Sequence, residues 1–232
     1  ELGAEIPGYH RYRGFMEGAI IGVERGTTGV APPRKALRET GYAFNISNGS
    51  RTLFQGNEGA TGLGDISFYG KYQILKESSS LPALSVRVGV KAPTGDTGEV
   101  FGSGHPDAGI GLALDKKFAD NWILYANLNG VFPTGRIAGL GLQPVVSGLV
   151  AVEYLWTENF SITAQFDYYS PPFHGTGTRV LDKGVTESVL GVSYRILPGL
   201  LWQLYGVENL DFITGSAADF TLSTVLTYRF RS

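Results

Sequence analysis

The chain contains no cysteine, so no disulfide framework organises it, and the absence suits export through an oxidising space, although many cytosolic proteins share it. It is also poor in charge. Asp, Glu, Lys and Arg make up 17 % of its 232 residues, where about 25 % is usual in soluble domains. With 19 basic and 21 acidic side chains, it lacks the positive excess that holds nucleic acid, which is not an expected partner. No apolar run approaches the roughly 20 residues of a membrane-spanning helix, and a helical membrane protein is not expected. No Pro/Ser-rich or charged linker divides the sequence, so a single domain over residues 1–232 is expected. From Glu1 onward there is neither a basic start nor an apolar signal core; any export signal is expected to have been removed or never included.

What the chain does have is glycine (33 residues), tyrosine (12) and phenylalanine (13), the last two being the material of interfacial aromatic girdles. Its central pattern lies in residues 84–118. Leu84, Val86, Val88 and Val90 alternate with Ser85, Arg87, Gly89 and Lys91; beyond a glycine-rich loop, Ala108, Ile110, Leu112 and Leu114 alternate with Asp107, Gly109, Gly111, Ala113 and Asp115. A period of two gives a strand one apolar and one more polar face. Similar alternation predicts strands at 1–7, from 42 to a turn at Asn48 and Gly49, and at 65–74, 122–132, 146–156, 160–168, 187–196, 200–206 and 220–230. Residues 13–25 fit a strand poorly, whereas Phe15, Met16, Ala19, Ile20 and Val23 form a helical stripe, so a short amphipathic helix is expected over 14–24. Thr27 to Arg38, with Pro32 and Pro33, reads as a loop.

The predicted connections alternate in length. Short ones centre on 77–80, 119–121, 157–159 and 198–199; long ones span 49–62, 92–106, 133–143, 172–185 and 209–218. Outer-membrane barrels have this asymmetry, with short periplasmic turns and longer external loops. Trp122, Trp156 and Trp202 all fall beside short turns, where an aromatic girdle would place them. The expected fold is therefore all-β: an antiparallel up-and-down transmembrane β-barrel of about 12 strands, with a short helix near the N-terminus. Eleven strands are clear, and an even count requires one more, either before Glu1 or at 14–24.

In such a barrel the apolar face meets lipid and the polar face lines the interior. The expected lumen residues are Asp65, Lys71, Arg87 and Lys91 on the first clear strands, and Asp107, Asp115, Lys117, Asn127 and Asn129 on the next pair. Glu153, Gln165, Asp167, Glu187, Arg195, Gln203 and Arg229 follow. Both signs are present, which argues against strong ion selectivity. A turn symmetric about Ser78 would set Asp65 opposite Lys91 and Tyr69 opposite Arg87, an opposed charge pair worth roughly 0.2–1 kcal/mol.

Catalytic and cofactor chemistry find little support. His10, His105 and His174 fall in predicted loops or turns, and the nearness of Ser103 to His105 does not establish a site. The run from Gly95 to Gly109 lacks the lysine and following helix of a phosphate loop, and the spacing of Asp96, Glu99 and Asp107 matches no calcium loop. No catalytic residue, metal or cofactor is expected.

The segment Lys91-Ala-Pro-Thr-Gly-Asp96 with Phe101-Gly-Ser-Gly-His-Pro-Asp107, followed by an alternating glycine-rich strand, resembles an uncharacterised bacterial family of outer-membrane barrels. Gly14-Phe-Met-Glu-Gly-Ala, Gly62-Leu-Gly-Asp65, Glu208 and Ala218-Asp-Phe-Thr-Leu222 add to it. The K-x-PTG hairpin alone also resembles outer-membrane proteins labelled as belonging to phenol meta-pathway degradation. Neither resemblance implies an established activity. The first family usually extends further upstream, in keeping with an additional N-terminal strand. A final strand ending in aromatics, Tyr228 and Phe230, resembles the signal read by the outer-membrane insertion machinery. The expectation is a non-enzymatic barrel of the bacterial outer membrane, surrounded by its lipid, acting as a passive channel for small solutes, hydrophobic ones among them. The alternative is a docking barrel with a closed, charge-paired lumen that holds a protein partner.

Overall fold

A computed structural model describes residues 1–12, 18, 22, 26, 43–137, 139–210 and 220–230. The expected helix over 14–24, save Gly18 and Gly22, and the expected loop over 27–38 lie outside these residues. The first strands are β1 (Leu2–Glu5), β2 (Gly8–His10), β3 (Ala43–Asn48), β4 (Arg51–Asn57), β5 (Thr61–Leu63), β6 (Ile66–Leu75), β7 (Ala83–Ala92) and β8 (Asp107–Ala119). Then come β9 (Trp122–Pro133), β10 (Arg136–Ile137), β11 (Leu140–Gly141), β12 (Val145–Leu155) and β13 (Phe160–Tyr169). A helical turn, α1 (Arg179–Asp182), precedes β14 (Val185–Leu197), β15 (Leu200–Asn209) and β16 (Phe220–Tyr228).

Ten strands form one sheet in the order β1-β6-β7-β8-β9-β12-β13-β14-β15-β16, and every pairing in it is antiparallel. The described sheet thus has ten strands rather than about twelve. Part of the difference lies at residues 42–46. From Ala43 onward that segment, β3, pairs with β4 in a separate hairpin instead of joining the sheet, the chain reversing tightly at Gly49 (φ 60°) and Ser50. Alternation identifies a strand without identifying its sheet. Since neighbours alternate in direction, the edge strands β1 and β16 run antiparallel to each other, the arrangement that direct closure requires.

The two faces differ in chemistry. Every buried residue of the large sheet is odd-numbered: Ser85, Gly111, Ala113, Ala151, Ser161, Val185, Ser193 and Asn209. The exposed apolar side chains in mid-strand are mainly even-numbered, such as Val90 (57 % exposed), Leu128 (57 %), Leu190 (70 %) and Leu226 (63 %). Parity survives around the whole sheet because each register pairs even with even, and the shifts at Gln73/Leu75, Lys117/Ala119 and Arg195/Leu197 fall beside short turns. The two-residue turn between Leu197 and Leu200 has Pro198 followed by Gly199 at φ 91°, the left-handed position that glycine occupies without strain. A water-soluble sandwich would bury the apolar face; here the small and polar face is the buried one.

The buried apolar cluster of the described residues lies outside the large sheet. Leu53, Phe173 and Leu181 pack with Ile46, Phe54, Ile137, Leu140 and Leu142. These come from the β3·β4 hairpin, the β10·β11 hairpin and the connection carrying α1, so the long connections share a small core at one end of the sheet. Gln143 ties two of them, donating from Nε2 to the carbonyls of Pro171 (2.9 Å) and Phe173 (3.1 Å).

Candidate functional site

At the end carrying the long connections, the odd face finishes in a charged cluster. Lys91 Nζ lies 2.7 Å from Asp65 Oδ2 and 2.6 Å from Asp107 Oδ2, and donates to Ser103 Oγ at 2.5 Å. The expected ion pair therefore forms, but in a different register. Lys91 stands opposite Ser67, Arg87 opposite Lys71 and Tyr69 opposite Gly89, because the irregularity between Gln73 and Leu75 and the wider turn move the register by two. The flexible lysine stem reaches Asp65 diagonally.

Asp65 also accepts the backbone N–H groups of Gly95 (2.9 Å) and Ser103 (2.9 Å) and the hydroxyl of Ser103 (3.2 Å). Residues 93–106 are thereby folded back over this end of the odd face. Glycine is required at the crossing: a Cβ on Gly102 would lie 2.5 Å from Asp65 Oδ1 and 2.8 Å from the Cα of Gly95. Gly102→Val is expected to lower stability by about 1–3 kcal/mol, the usual cost of forced overpacking, and urea unfolding followed by intrinsic fluorescence would measure it.

Further out, the same loop is held by Phe101, whose ring stacks on Tyr9 at 5.4 Å, and by Arg11. Arg11 pairs with Glu99 at 3.1 Å while its guanidinium carbon sits 5.1 Å from the ring centroids of both Phe44 and Phe101. Asp107 Oδ1 accepts the N–H of Thr134 at 2.8 Å, joining the next long connection to the cluster.

Burial pushes the Asp65 carboxyl up, but the Lys91 ammonium and the two amide donors outweigh it and hold the group at about 2, below its ordinary 3.8. A depressed carboxylate stabilises the folded loop fully above its ordinary value and loses that contribution as pH falls through the folded one. Proteolysis of the loop by pepsin is therefore expected to rise as pH falls from about 4 to about 2, and the rise is expected to be missing in Asp65→Asn.

Deeper on the odd face, Arg87 donates from Nη2 to Asn129 Oδ1 (2.9 Å), and Asn129 donates from Nδ2 to Ser147 Oγ (3.3 Å). Arg87 and Asn129 flank Gly111 in register, and a Cβ there would lie 2.2 Å from Asn129 Oδ1. The missing side chain at Gly111 makes room for this bridge. Glu153 accepts from Tyr125 Oη at 2.6 Å and from Ser161 Oγ. Gln165 donates to Asp167 at 2.8 Å, and Asp167 stands opposite Glu187; Gln203 donates to Ser193 Oγ at 3.2 Å.

Of the other expected residues, Lys71, Asp115, Lys117 and Asn127 also occupy odd positions on their strands. Arg195, together with Arg229 just beyond β16, lines a recess of about 1100 Å³ at the short-turn end. Trp122, Trp156 and Trp202 carry even numbers beside short turns, and the Trp122 and Tyr154 rings meet at a tilt with centroids 4.7 Å apart. Sequence reasoning missed Ser103, Gly95, Gly102, Arg11 and Phe101, whose roles depend on how one loop folds.

The weaker chemical candidates do not converge. Ser103 meets His105 through the backbone, its hydroxyl oxygen accepting the His105 N–H at 3.3 Å. Asp96 caps the N–H groups of Gly98 and Glu99, Glu99 pairs with Arg11, and Asp107 with Lys91. Among the described residues no group of three or more His, Asp or Glu side chains is placed to hold a metal. No described helix is long and apolar enough to cross a membrane, which leaves crossing by strands open.

A family model described as a protein of unknown function, DUF3187, matches residues 40–230. No curated protein matches the chain. Among solved structures, one described as the NanC porin in a rhombohedral crystal form is similar at 12 % identity, over 81 % of this chain and 92 % of that one, with a TM-score of 0.49.

Proposed function

The chain belongs to the DUF3187 family of unknown function, and we propose that it is a bacterial outer-membrane β-barrel that passes small solutes without chemical conversion. One observation carries the reading: around ten antiparallel strands, the even-numbered face is apolar and exposed while the odd-numbered face is small, polar and buried. Lipid on the even face satisfies the exposed side chains. Closure of the sheet satisfies its edges, since an unpaired backbone group costs several kcal/mol in hydrocarbon. The lumen is then lined by Lys71, Arg87, Asn129, Glu153, Gln165 and Asp167 among others, and Trp122, Trp156 and Trp202 mark the periplasmic interface. The long connections lie outside, and the C-terminal strand, with Tyr228 and Phe230, is what the insertion machinery would engage.

Purified protein in planar bilayers is expected to give stepwise conductance, and its liposomes to swell in small sugars. Correctly inserted protein that is electrically silent and impermeable would contradict the channel. A second reading, a closed docking barrel for a protein partner, is favoured by the sandwiching of Lys91 between Asp65 and Asp107. Copurification of a stoichiometric companion together with electrical silence would select it.

A further inference from the structure

Within the capped mouth lies a cavity of about 600 Å³, between β4, residues 97–105 of the pinned loop and the β10·β11 hairpin. Its walls are of two kinds. Leu53, Phe54, Val100 and Ile137 are its apolar lining, and the exposed Arg136 and half-buried His105 line it as well. No Asp or Glu lines it. Among the described residues, neither the Arg136 side chain nor the His105 ring has a hydrogen-bond or ion-pair partner.

The two groups are brought to the same turn. A Cβ on Gly135, which precedes Arg136, would lie 2.3 Å from Cγ of His105, so the imidazole rests against the backbone of the hairpin that carries the arginine. Gly135 has φ 82°, a conformation that keeps this place for glycine.

We propose that this cavity is a binding site for a small organic monoanion, a carboxylate on an apolar body the size of an aromatic ring. A guanidinium is always charged and its planar fork matches a carboxylate in two parallel hydrogen bonds. A concave apolar site with a few convergent polar groups is the usual form of a small-molecule pocket, and its volume lies within the range of about 300–1,000 Å³ such pockets have. Apolar walls select against fully hydrated inorganic anions, and the unneutralised guanidinium selects against neutral ring compounds. A second cavity of about 490 Å³ shares Phe54, Val100, Gly102, Ser103 and Ile137 with the first and reaches Asp65 and Lys91. The bound anion therefore waits beside the pinned loop, and the site names the solute class of the channel proposed above, on which reading that consequence rests.

The test is calorimetric titration of the detergent-solubilised, folded protein with sodium benzoate, inorganic phosphate and phenol in separate runs. Benzoate is expected to bind, with phosphate and phenol each about tenfold or more weaker. Arg136→Gln is expected to weaken benzoate by about tenfold or more, and Gln55→Glu, which places a carboxylate in the cavity wall, to weaken it as well. Foldedness of each variant is read from the mobility difference between boiled and unboiled samples; where Arg136→Gln fails to fold, Gln55→Glu decides. Absent benzoate binding, equal binding of phosphate or phenol, or benzoate affinity unchanged in the folded variants would overturn the proposal. Binding is measured without transport, so a protein that takes benzoate yet conducts nothing counts against the channel alone, and one that conducts but ignores benzoate counts against the site alone.

Discussion

Asp65→Ala is expected to free the inner part of residues 93–106, near Gly95 and Ser103, from the mouth, making it susceptible to added protease in liposomes and raising single-channel conductance. Asp65 is the one acceptor for four donors: Lys91 Nζ, the amides of Gly95 and Ser103, and the Ser103 hydroxyl. Its side chain is only 6 % exposed, and that of Lys91 24 %. Breaking a buried pair by removing one partner costs roughly 3–5 kcal/mol. The cost here falls below that range, because Lys91 keeps Asp107 at 2.6 Å. Phe101 on Tyr9 and Arg11 on Glu99 still hold the outer part of the loop, so the released segment is expected to be the inner one, near Gly95 and Ser103. Unchanged proteolysis together with unchanged conductance would show that the carboxylate does not hold the loop.

Val150→Arg is expected to block insertion, whereas Thr163→Arg inserts and alters conductance. Val150 is 53 % exposed at the middle of β12, between Ala126 on β9 and Phe166 on β13. An arginine on the lipid face near the bilayer midplane costs about 2–4 kcal/mol, while lumen substitutions change selectivity instead. Thr163 faces the opposite way and lines an inward cavity of about 310 Å³ with Gln165, Asp167 and Glu187. Adding a cation beside two carboxylates is expected to shift the channel toward anions. Folding into lipid vesicles, followed by the mobility shift on unboiled gels, measures the first effect; reversal potentials in a salt gradient measure the second. Equal insertion of both variants would remove the distinction between the faces.

The faces were legible in the sequence because a period of two is a local property and the pairing preserves it. Val86 and Val88 point one way and Arg87 the other whatever the neighbouring strand does. The antiparallel class and the alternation of turn lengths could be read for the same reason. Strand membership could not: Phe44 and Ile46 alternate as well as any barrel strand, yet they serve a hairpin that packs on Phe173 and Leu181. Register was equally hidden, since one irregularity at Gln73/Leu75 replaces Tyr69 by Lys71 opposite Arg87. The charged cluster was half legible. Asp65, Lys91 and Asp107 could be named from their faces, but Ser103 joins them only because Gly95 and Gly102 let the loop backbone approach. Arg87 reaching Asn129 depends on the missing side chain at Gly111, a relation between three strands that no single stretch of sequence contains.

The central claim is that lipid covers the even face and water the odd one. A chain without cysteine allows single-cysteine variants at 162, 163, 164, 165, 166 and 167 on β13 to be read without background. In liposomes, Thr163→Cys, Gln165→Cys and Asp167→Cys are expected to react with a membrane-impermeant maleimide. Ile162→Cys, Ala164→Cys and Phe166→Cys are expected to react only with a membrane-soluble one. Reaction of all six with the impermeant reagent, or the reverse alternation, would contradict the account.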